Sequence, residues 1–469
     1  DRLNSSILRK IADRCYLPMN KLLLDLIKEY GTQFKVSFSL SGVYIKQLEL
    51  YAPEVLESFK ALAKTGCVEF LAETYSHSLV SLRSQDEFVR QVEKHAKKIE
   101  KYFGQKPQVF RNTELVYSDE IGRIAYDMGF KAVLTEGARH ILGWKSPNFL
   151  YYNAINPKLK VLLRNYKLSD DIAFRFSNKH WDGWPLTADK FVDWLNQIPE
   201  NEEVVNLFMD YETFGEHQWE DTGIFKFMRS LPAAVFKKSN FKFLTPSEVA
   251  DKLQPVAAVN VPYHISWADE ERDLTAWLGN EMQYEAFNKI NDLENLVKKI
   301  DDPEIQKDWQ YLQTSDHFYY MCTKFFADGD VHMYFNPFKN PYDAFINYMN
   351  VVSDFIIRVE KASKTGFGDD EPKNKEEIEN VIKKYQSEIE RLKQKMEKIV
   401  EEDKILEKKK TTKKTTTKET AKKATTKTIT TKKELPAKKT KTTKKETPTK
   451  KPATSKKTTT KKSENTKKT

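Results

Sequence analysis

Short apolar or alternating runs recur along the first 250 residues, and each is followed by a longer stretch whose apolar positions return every three or four residues. FKVSFSL (34–40), CVEFLAE (67–73), QVFRNTE (108–114), AVLTE (132–136), KVLLRN (160–165), VVNLFMD (204–210) and FKFL (241–244) read as strands. Between them, SLRSQDEFVRQVEKHAKKIEKYF sets Leu82, Phe88, Val92 and Ile99 near helical spacing with charge in between. On that helix His95 is flanked by lysines and reads as solvated. Strands alternating with helices predict βαβ units and a largely parallel sheet, open or closed into a barrel. Past about residue 255 the strand signal stops, and SWADEERDLTAWLGNEMQYEAFNKINDLENLVKKI and EIQKDWQYLQTSDHFYYMCTKFF carry helical periodicity instead. The organisation expected is an α/β domain over 1–255, a helical domain over 256–362, a linker over 363–375, a heptad helix over 376–407 and a tail over 408–469.

The heptad reading rests on Ile378, Ile382, Tyr385, Ile389, Leu392, Met396 and Ile399, which step by 4, 3, 4, 3, 4 and 3. Weak self-association through residues 378–399 and one long charged helix lying on the globular part both satisfy that seam. The tail has a different signature. Residues 408–469 hold 24 lysines and 22 threonines against 4 glutamates, so a net charge of +10 for the whole chain leaves the first 407 residues at about −10. With almost no large apolar side chain, the tail is expected to be disordered. No aromatic residue interleaves its lysines, so a solvated tail is the simpler reading beside non-specific contact with a polyanion.

Polar residues gather where the strands end. Glu69 and Glu73, Arg111 with Asn112 and Glu114, Glu136, Arg164 with Asn165, and Asp210 with Glu212 lie in or just past a strand. In α/β folds the carboxyl ends of strands are where sites are assembled, so the pattern favours an enzyme over a scaffold. The densest stretch is LFMDYETFGEHQW (207–219), an apolar run that ends in acids, a histidine and a tryptophan. Cys15, Cys67 and Cys322 are too few and too scattered for a disulfide framework or a zinc ribbon, which points to a reducing, cytoplasmic setting. No apolar run of membrane-spanning length and no signal sequence is present, so no membrane partner is expected.

Three chemistries suit strand-end acids. Metal-assisted hydrolysis is not indicated, because no two of the eight histidines fall at a metal-ligand spacing. Nucleophilic serine or cysteine chemistry lacks a G-x-S-x-G elbow or a local cysteine signature. Glycoside cleavage needs two acids on different strands, with aromatic and hydrogen-bonding groups to hold sugar rings. Glu114 and Asp210 are available for the first need, and Trp219, His77 and Tyr75 for the second.

GCVEFLAETYSHSL (66–79), VFRNTEL (109–115), LFMDYETFGEHQW (207–219) and QTSDHFYY (313–320) closely resemble four of the five regions that mark glycoside hydrolase family 57, in the family's order. ADRCYLPMNKLLLDLI and ISWADEERDLTAWLGN resemble its α-amylase-type subgroup. The resemblance covers roughly residues 1–360 and implies an incomplete, seven-stranded β/α barrel followed by a helical region that closes a cleft. It implies retaining chemistry on α-glucans with no metal or organic cofactor, Glu114 as nucleophile and Asp210 as acid/base. Glu69 and His77 would line the sugar site, Glu216, His217 and Trp219 would follow the acid/base, and Asp316 would close the cleft from the helical domain. The family's first region, a His-Gln-Pro at the end of the opening strand, is absent, so the expectation is a barrel without its first strand, lowered in stability and activity.

The activity expected is hydrolysis of α-1,4-glucan such as starch, glycogen or maltodextrin. Transfer by a 4-α-glucanotransferase or branching-type enzyme shares the same glycosyl-enzyme intermediate. Two other readings compete: an inactive α-glucan-binding or structural protein, against which the presence of both acids counts, and a metal-dependent deacetylase on a similar barrel, which bound metal would reveal.

Overall fold

The computed structural model describes residues 2–324 and 336–365, with scattered helical positions between 383 and 394. The chain divides into two units, Asp1–Met396 and Glu397–Thr469, and every residue described here belongs to the first. Apart from Ile389, the expected heptad seam lies outside the described residues, as does the Lys/Thr tail.

The fold is α/β. Its strands are β1 (Val36–Phe38), β2 (Val68–Phe70), β3 (Val109–Arg111), β4 (Ala132–Glu136), β5 (Leu150–Asn153), β6 (Lys160–Arg164) and β7 (Ala258–Val259). They form a parallel pair, β1-β2, and a five-stranded sheet in the order β3-β4-β6-β5-β7. The two are joined where Ala72 N–H donates to Val109 O at 3.0 Å and Arg111 N–H to Ala72 O at 2.8 Å. β4 is buried along its whole length, as an apolar run in a parallel sheet must be when both faces are covered. Leu71, Val109, Ala132, Leu134 and Leu162 form one apolar cluster with Val249 of the helix Pro246–Lys252.

Two expected strands are not laddered. Residues 204–210 make one isolated parallel bridge, Asn206 to Arg164, and residues 241–244 make none among the described residues. Phe243 is used for packing instead, edge-on to Phe34 at 5.0 Å. Conversely, the sequence reading did not find β5 or β7. β5 runs antiparallel to β6 through a short hairpin whose turn is held by Asn153 Oδ1, which accepts from Ile155 N–H at 3.0 Å and Asn156 N–H at 2.7 Å.

The helix Gln85–Phe103 shows how the helices are positioned. Ser84 Oγ caps its start by accepting from Glu87 N–H at 3.3 Å, and Gly104 ends it at φ 68°. Phe88, Val92, Ile99 and Phe103 form its buried stripe, and His95 lies on that stripe too, fully buried rather than solvated. Its Nε2 faces Leu40 O at 2.7 Å and its Nδ1 accepts from Glu73 N–H at 3.1 Å, so the ring is a neutral spacer with one nitrogen donating and the other accepting. Burial depresses its proton affinity accordingly.

The helices Glu281–Asn291, Pro303–Leu312, Ser315–Tyr319 and Pro341–Thr365 follow the sheet in sequence. Phe318, Tyr348 and Phe355 from them share one apolar core with Phe88, Val92 and Phe110. The three cysteines are free and buried. Among the described residues no helix is long and apolar enough to cross a membrane.

Candidate active site

Just past β3 the chain makes one tight turn, Thr113–Leu115, in which Glu114 (φ 56°) and Leu115 (φ 52°) both take the left-handed conformation. Non-glycine residues hold that backbone only where their surroundings impose it. Here Leu115 N–H donates to Asn112 O at 3.0 Å, Asn112 Nδ2 to Val116 O at 2.9 Å, and the Leu115 side chain is buried. The turn points the Glu114 carboxylate at three donors from distant parts of the chain. Oε1 lies 3.0 Å from His77 Nε2 and 3.4 Å from Ser315 Oγ, while Oε2 accepts from Trp267 Nε1 at 2.9 Å.

His77 also stands in left-handed backbone, at φ 50°, and its carbonyl accepts from Ser315 N–H at 2.9 Å. Its Nδ1 lies 3.0 Å from Glu73 Oε2, so both ring nitrogens face carboxylates. Both can donate only if the ring is an imidazolium. Partial burial pulls its proton affinity down, but Glu114 and Glu73 outweigh it and raise the pKa to about 10. Burial works the other way on Glu73 and is overcome by His77 and by Arg111, 3.8 Å away, which bring its pKa to about 2. Glu114 follows the same logic: enclosure raises it, yet His77, Arg111 and the Trp267 hydrogen bond hold it below the usual carboxylate range.

Asp210 sits at the end of the extended 204–210 segment, which Arg164 steadies by donating from Nε to Phe208 O at 2.7 Å. Arg164 is itself buried and fixed, with Nη1 3.0 Å from Glu136 Oε2 and a second bond to Asp170. Arg272 joins this network at 3.4 Å from Asp170. The guanidinium groups of Arg111 and Arg164 lie 5.1 and 5.8 Å from the Trp267 ring centre, so cation–π contacts hold the indole that donates to Glu114.

Solvent reaches Asp210, yet protein atoms enclose it closely enough that lost hydration is the main force on its carboxyl. Glu212 and Glu114 add negative field against Arg111 and Arg164, and the carboxyl is pushed up to about 7. Asp316, also reached by solvent, is raised by enclosure, lowered by His77 and raised again by Glu114 and Glu212. His77, Asp210 and Asp316 therefore each lie near enough to Glu114 to feel its charge. Glu114, Asp210 and Asp316 also act together on the Tyr319 phenol, which burial and those charges push upward.

The other residues singled out in the sequence have contacts of their own. Glu69 Oε2 accepts from Ser247 N–H at 2.9 Å, at the start of the helix Pro246–Lys252, and burial raises its carboxyl. Glu216 is fully buried and paired with Lys10 at 2.5 Å and Arg14 at 3.7 Å. His217 is half-buried, with its N–H on Glu212 O at 2.9 Å, and burial lowers its proton affinity. Trp219 stands 55% exposed on the same loop. Glu73, Arg111, Trp267 and Ser315 were not named as site residues, although Glu73 and Arg111 stand at strand ends and Trp267 lies in the quoted ISWADEERD stretch. Among the described residues no group of three or more His, Cys, Asp or Glu side chains is placed to hold a metal ion.

The loop that carries Asp210 is locked against the N-terminal segment at Gly215. The backbone there has φ 118°, and an added Cβ would lie 2.0 Å from Arg14 O. Gly215→Ala is expected to destabilise the fold by roughly 2–3 kcal/mol, read as a lower urea midpoint; an unchanged midpoint would mean that this contact yields freely.

The comparisons agree with this architecture. Residues 1–262 match the family model described as "Glycosyl hydrolase family 57". A protein of Methanocaldococcus jannaschii named "Putative alpha-amylase" is 48% identical over 365 residues, which is 76% of this chain and 77% of that protein. Among solved structures, the 4-alpha-glucanotransferase of Thermococcus litoralis superposes with a TM-score of 0.57 at 18% identity, over 76% of this chain and 57% of that enzyme, so the chain spans little more than half its length. The GH57-type branching enzyme of Pyrococcus horikoshii also gives 0.57, at 16% identity, over 79% of this chain and 93% of that one. Likeness at such identities establishes a shared fold. The family model covers more than half of the chain and the archaeal relative is nearly half identical across three quarters of it; the chain is an enzyme that belongs to glycosyl hydrolase family 57.

Proposed function

We propose that this enzyme breaks α-1,4 links in glucans such as starch, glycogen or maltodextrin with retention at the anomeric carbon, using Glu114 as nucleophile and Asp210 as proton donor and acceptor. The observation that carries this reading is the opposed titration of the two acids: Glu114 is held below the usual carboxylate range, and Asp210 is raised to about 7. Near neutral pH one is a carboxylate while the other still holds its proton much of the time, which is the division of labour double displacement needs.

Glu114 attacks the anomeric carbon as Asp210 gives its proton to the departing glycosidic oxygen. Asp210, now ionised, takes a proton from water; the water oxygen then bonds to the anomeric carbon, and the carbon–Glu114 bond breaks. The His77 and Trp267 donors stabilise the Glu114 carboxylate as it leaves in this second step. A sugar hydroxyl in place of water would give glucanyl transfer. Asp316 and Tyr319 supply hydroxyl partners and Trp219 an exposed ring face, whereas Glu69 and Glu216 act as struts. The same reading takes the parallel run β1-β2-β3-β4-β6, continued at the Asn206–Arg164 bridge, as staves of an incomplete seven-stranded β/α barrel. Three free cysteines suit a cytoplasmic setting.

Glu73 is a positioning residue in this scheme. Glu73→Gln removes one of the two charges that keep His77 an imidazolium, so the Glu114 pKa should rise and the acidic limb of the kcat/KM profile should move up by about one pH unit. A loss of activity that is uniform across pH would assign Glu73 to structure alone.

Chromatography of products from maltoheptaose, with Asp210→Asn as control, tests the proposed function. Shorter sugars alone mean hydrolysis, and longer ones beside them mean transfer. No products from either protein would overturn the reading.

A further inference from the structure

Besides the cluster of charged groups around Glu114, the structure holds a cavity of about 420 Å³ between the helices Tyr166–Ala173 and Ala188–Leu195 and the loop that joins them. Lys167, Leu168, Asp171, Trp181, Trp194 and Ile198 line it, and no residue given a role in the reaction is among its walls.

Its two indoles meet edge to face, with centroids 5.7 Å apart and planes at 73°. Both are held in place. The Arg175 guanidinium lies 5.9 Å from the Trp181 ring and Lys190 Nζ 5.8 Å from that of Trp194, while Lys190 also donates to Gly183 O at 2.8 Å. A Cβ on Gly183 would lie 2.4 Å from the Trp181 ring, so the backbone there is packed directly against the indole. Both tryptophans are partly buried, with part of each ring left open to solvent. Arg175 Nε donates to Asp171 Oδ1 at 2.7 Å, which leaves Oδ2 able to accept from a ligand, and Lys167 presents an exposed ammonium.

We propose that this cavity is an accessory α-glucan site, holding a stretch of the polymer whose other part is cleaved at Glu114; the proposal rests on the α-glucan reading above. With one cation and one anion in its walls, the cavity has no net charge with which to select an ionic ligand. Two fixed indoles at a corner match the apolar C–H faces of pyranose rings, and a carboxylate with an ammonium serves the hydroxyl edges. A polymer anchored there raises its own effective concentration at Glu114, whereas an oligosaccharide too short to reach both places gains nothing.

The test compares wild type with Trp194→Ala and with Lys167→Ala, whose exposed side chain can be removed without disturbing packing. Two readouts are needed: retardation in native gels cast with glycogen, and initial rates on glycogen and on maltotriose. The site predicts that each variant migrates faster in glycogen and that KM for glycogen rises about tenfold for Trp194→Ala, and less for Lys167→Ala, with maltotriose rates unchanged. Cleavage of maltoheptaose by wild type together with unchanged glycogen retardation in both variants overturns the accessory site and leaves the catalytic reading standing. Wild-type retardation that the variants lose, without cleavage of any glucan, supports the site and overturns the catalytic reading instead.

Discussion

Glu114→Ala is expected to lower kcat at least about 10⁴-fold, and added azide is expected to restore turnover with formation of a β-glycosyl azide. The argument starts from what alanine keeps. It retains Cβ, so the left-handed backbone at φ 56° is no more strained than before, and the flanking bonds from Leu115 N–H and Asn112 Nδ2 do not involve the lost side chain. What disappears is the carboxylate, leaving a hole beside the His77 imidazolium and Trp267 Nε1, two donors that suit a small anion. Azide in that hole attacks from the side the carboxylate used, and a single displacement inverts an α-linked substrate. Wild-type rates in the variant, or an azide product of retained configuration, would remove Glu114 from the role of nucleophile.

For Asp210→Asn the expectation is a loss of roughly 10²–10⁴-fold in kcat/KM, together with a change in the shape of the pH profile. In wild type, enclosure and the neighbouring Glu212 and Glu114 charges set the carboxyl at about 7. A raised pKa means the proton needed by the glycosidic oxygen is present below about 7 and lost above it. Activity should therefore fall about tenfold per pH unit on the alkaline side. Asparagine can neither supply nor recover that proton, so the alkaline limb should vanish. An Asp210→Asn variant that kept the limb near pH 7 would show that another group titrates there. Azide separates the two acids again: with Asp210→Ala it should intercept the glycosyl-enzyme and give the α product.

Much of this site was legible because strand ends concentrate polar residues. The runs at 108–114, 132–136 and 160–165 contain β3, β4 and β6, and the polar residues at their ends lie at or just past the strand ends. The run ending at Asp210 is extended but bonds at one bridge, because Asn206 makes its contacts singly, through Asn165 N–H to its carbonyl and its own Nδ2 to Leu163 O. Apolar content alone does not separate a laddered strand from a segment lying along one. β5 was hidden for the opposite reason: it is four residues long, and a hairpin returns it at once to β6.

His95 shows how flanking charge misleads. Lysines surround it in sequence, but it falls four residues before Ile99 and three after Val92, on the helix's buried stripe. Glu69 and Glu73 look equivalent in VEFLAE, four residues apart. β2 stops at Phe70, however, and at Ala72 the chain pairs with the β3 side instead; Glu69 meets a helix start and Glu73 meets His77. Trp267 and Ser315 could not be assigned to Glu114 from local pattern, since their contacts span 153 and 201 residues.

Those separations have a consequence during synthesis. A ribosome adding about 5–20 residues per second needs roughly 10–40 s to travel the 201 residues from Glu114 to Ser315. Throughout that interval β3 and its turn can form, but the indole and the hydroxyl that meet the carboxylate have not all been made. The nascent chain therefore lacks the donors that hold the Glu114 carboxylate until the helices behind it have emerged.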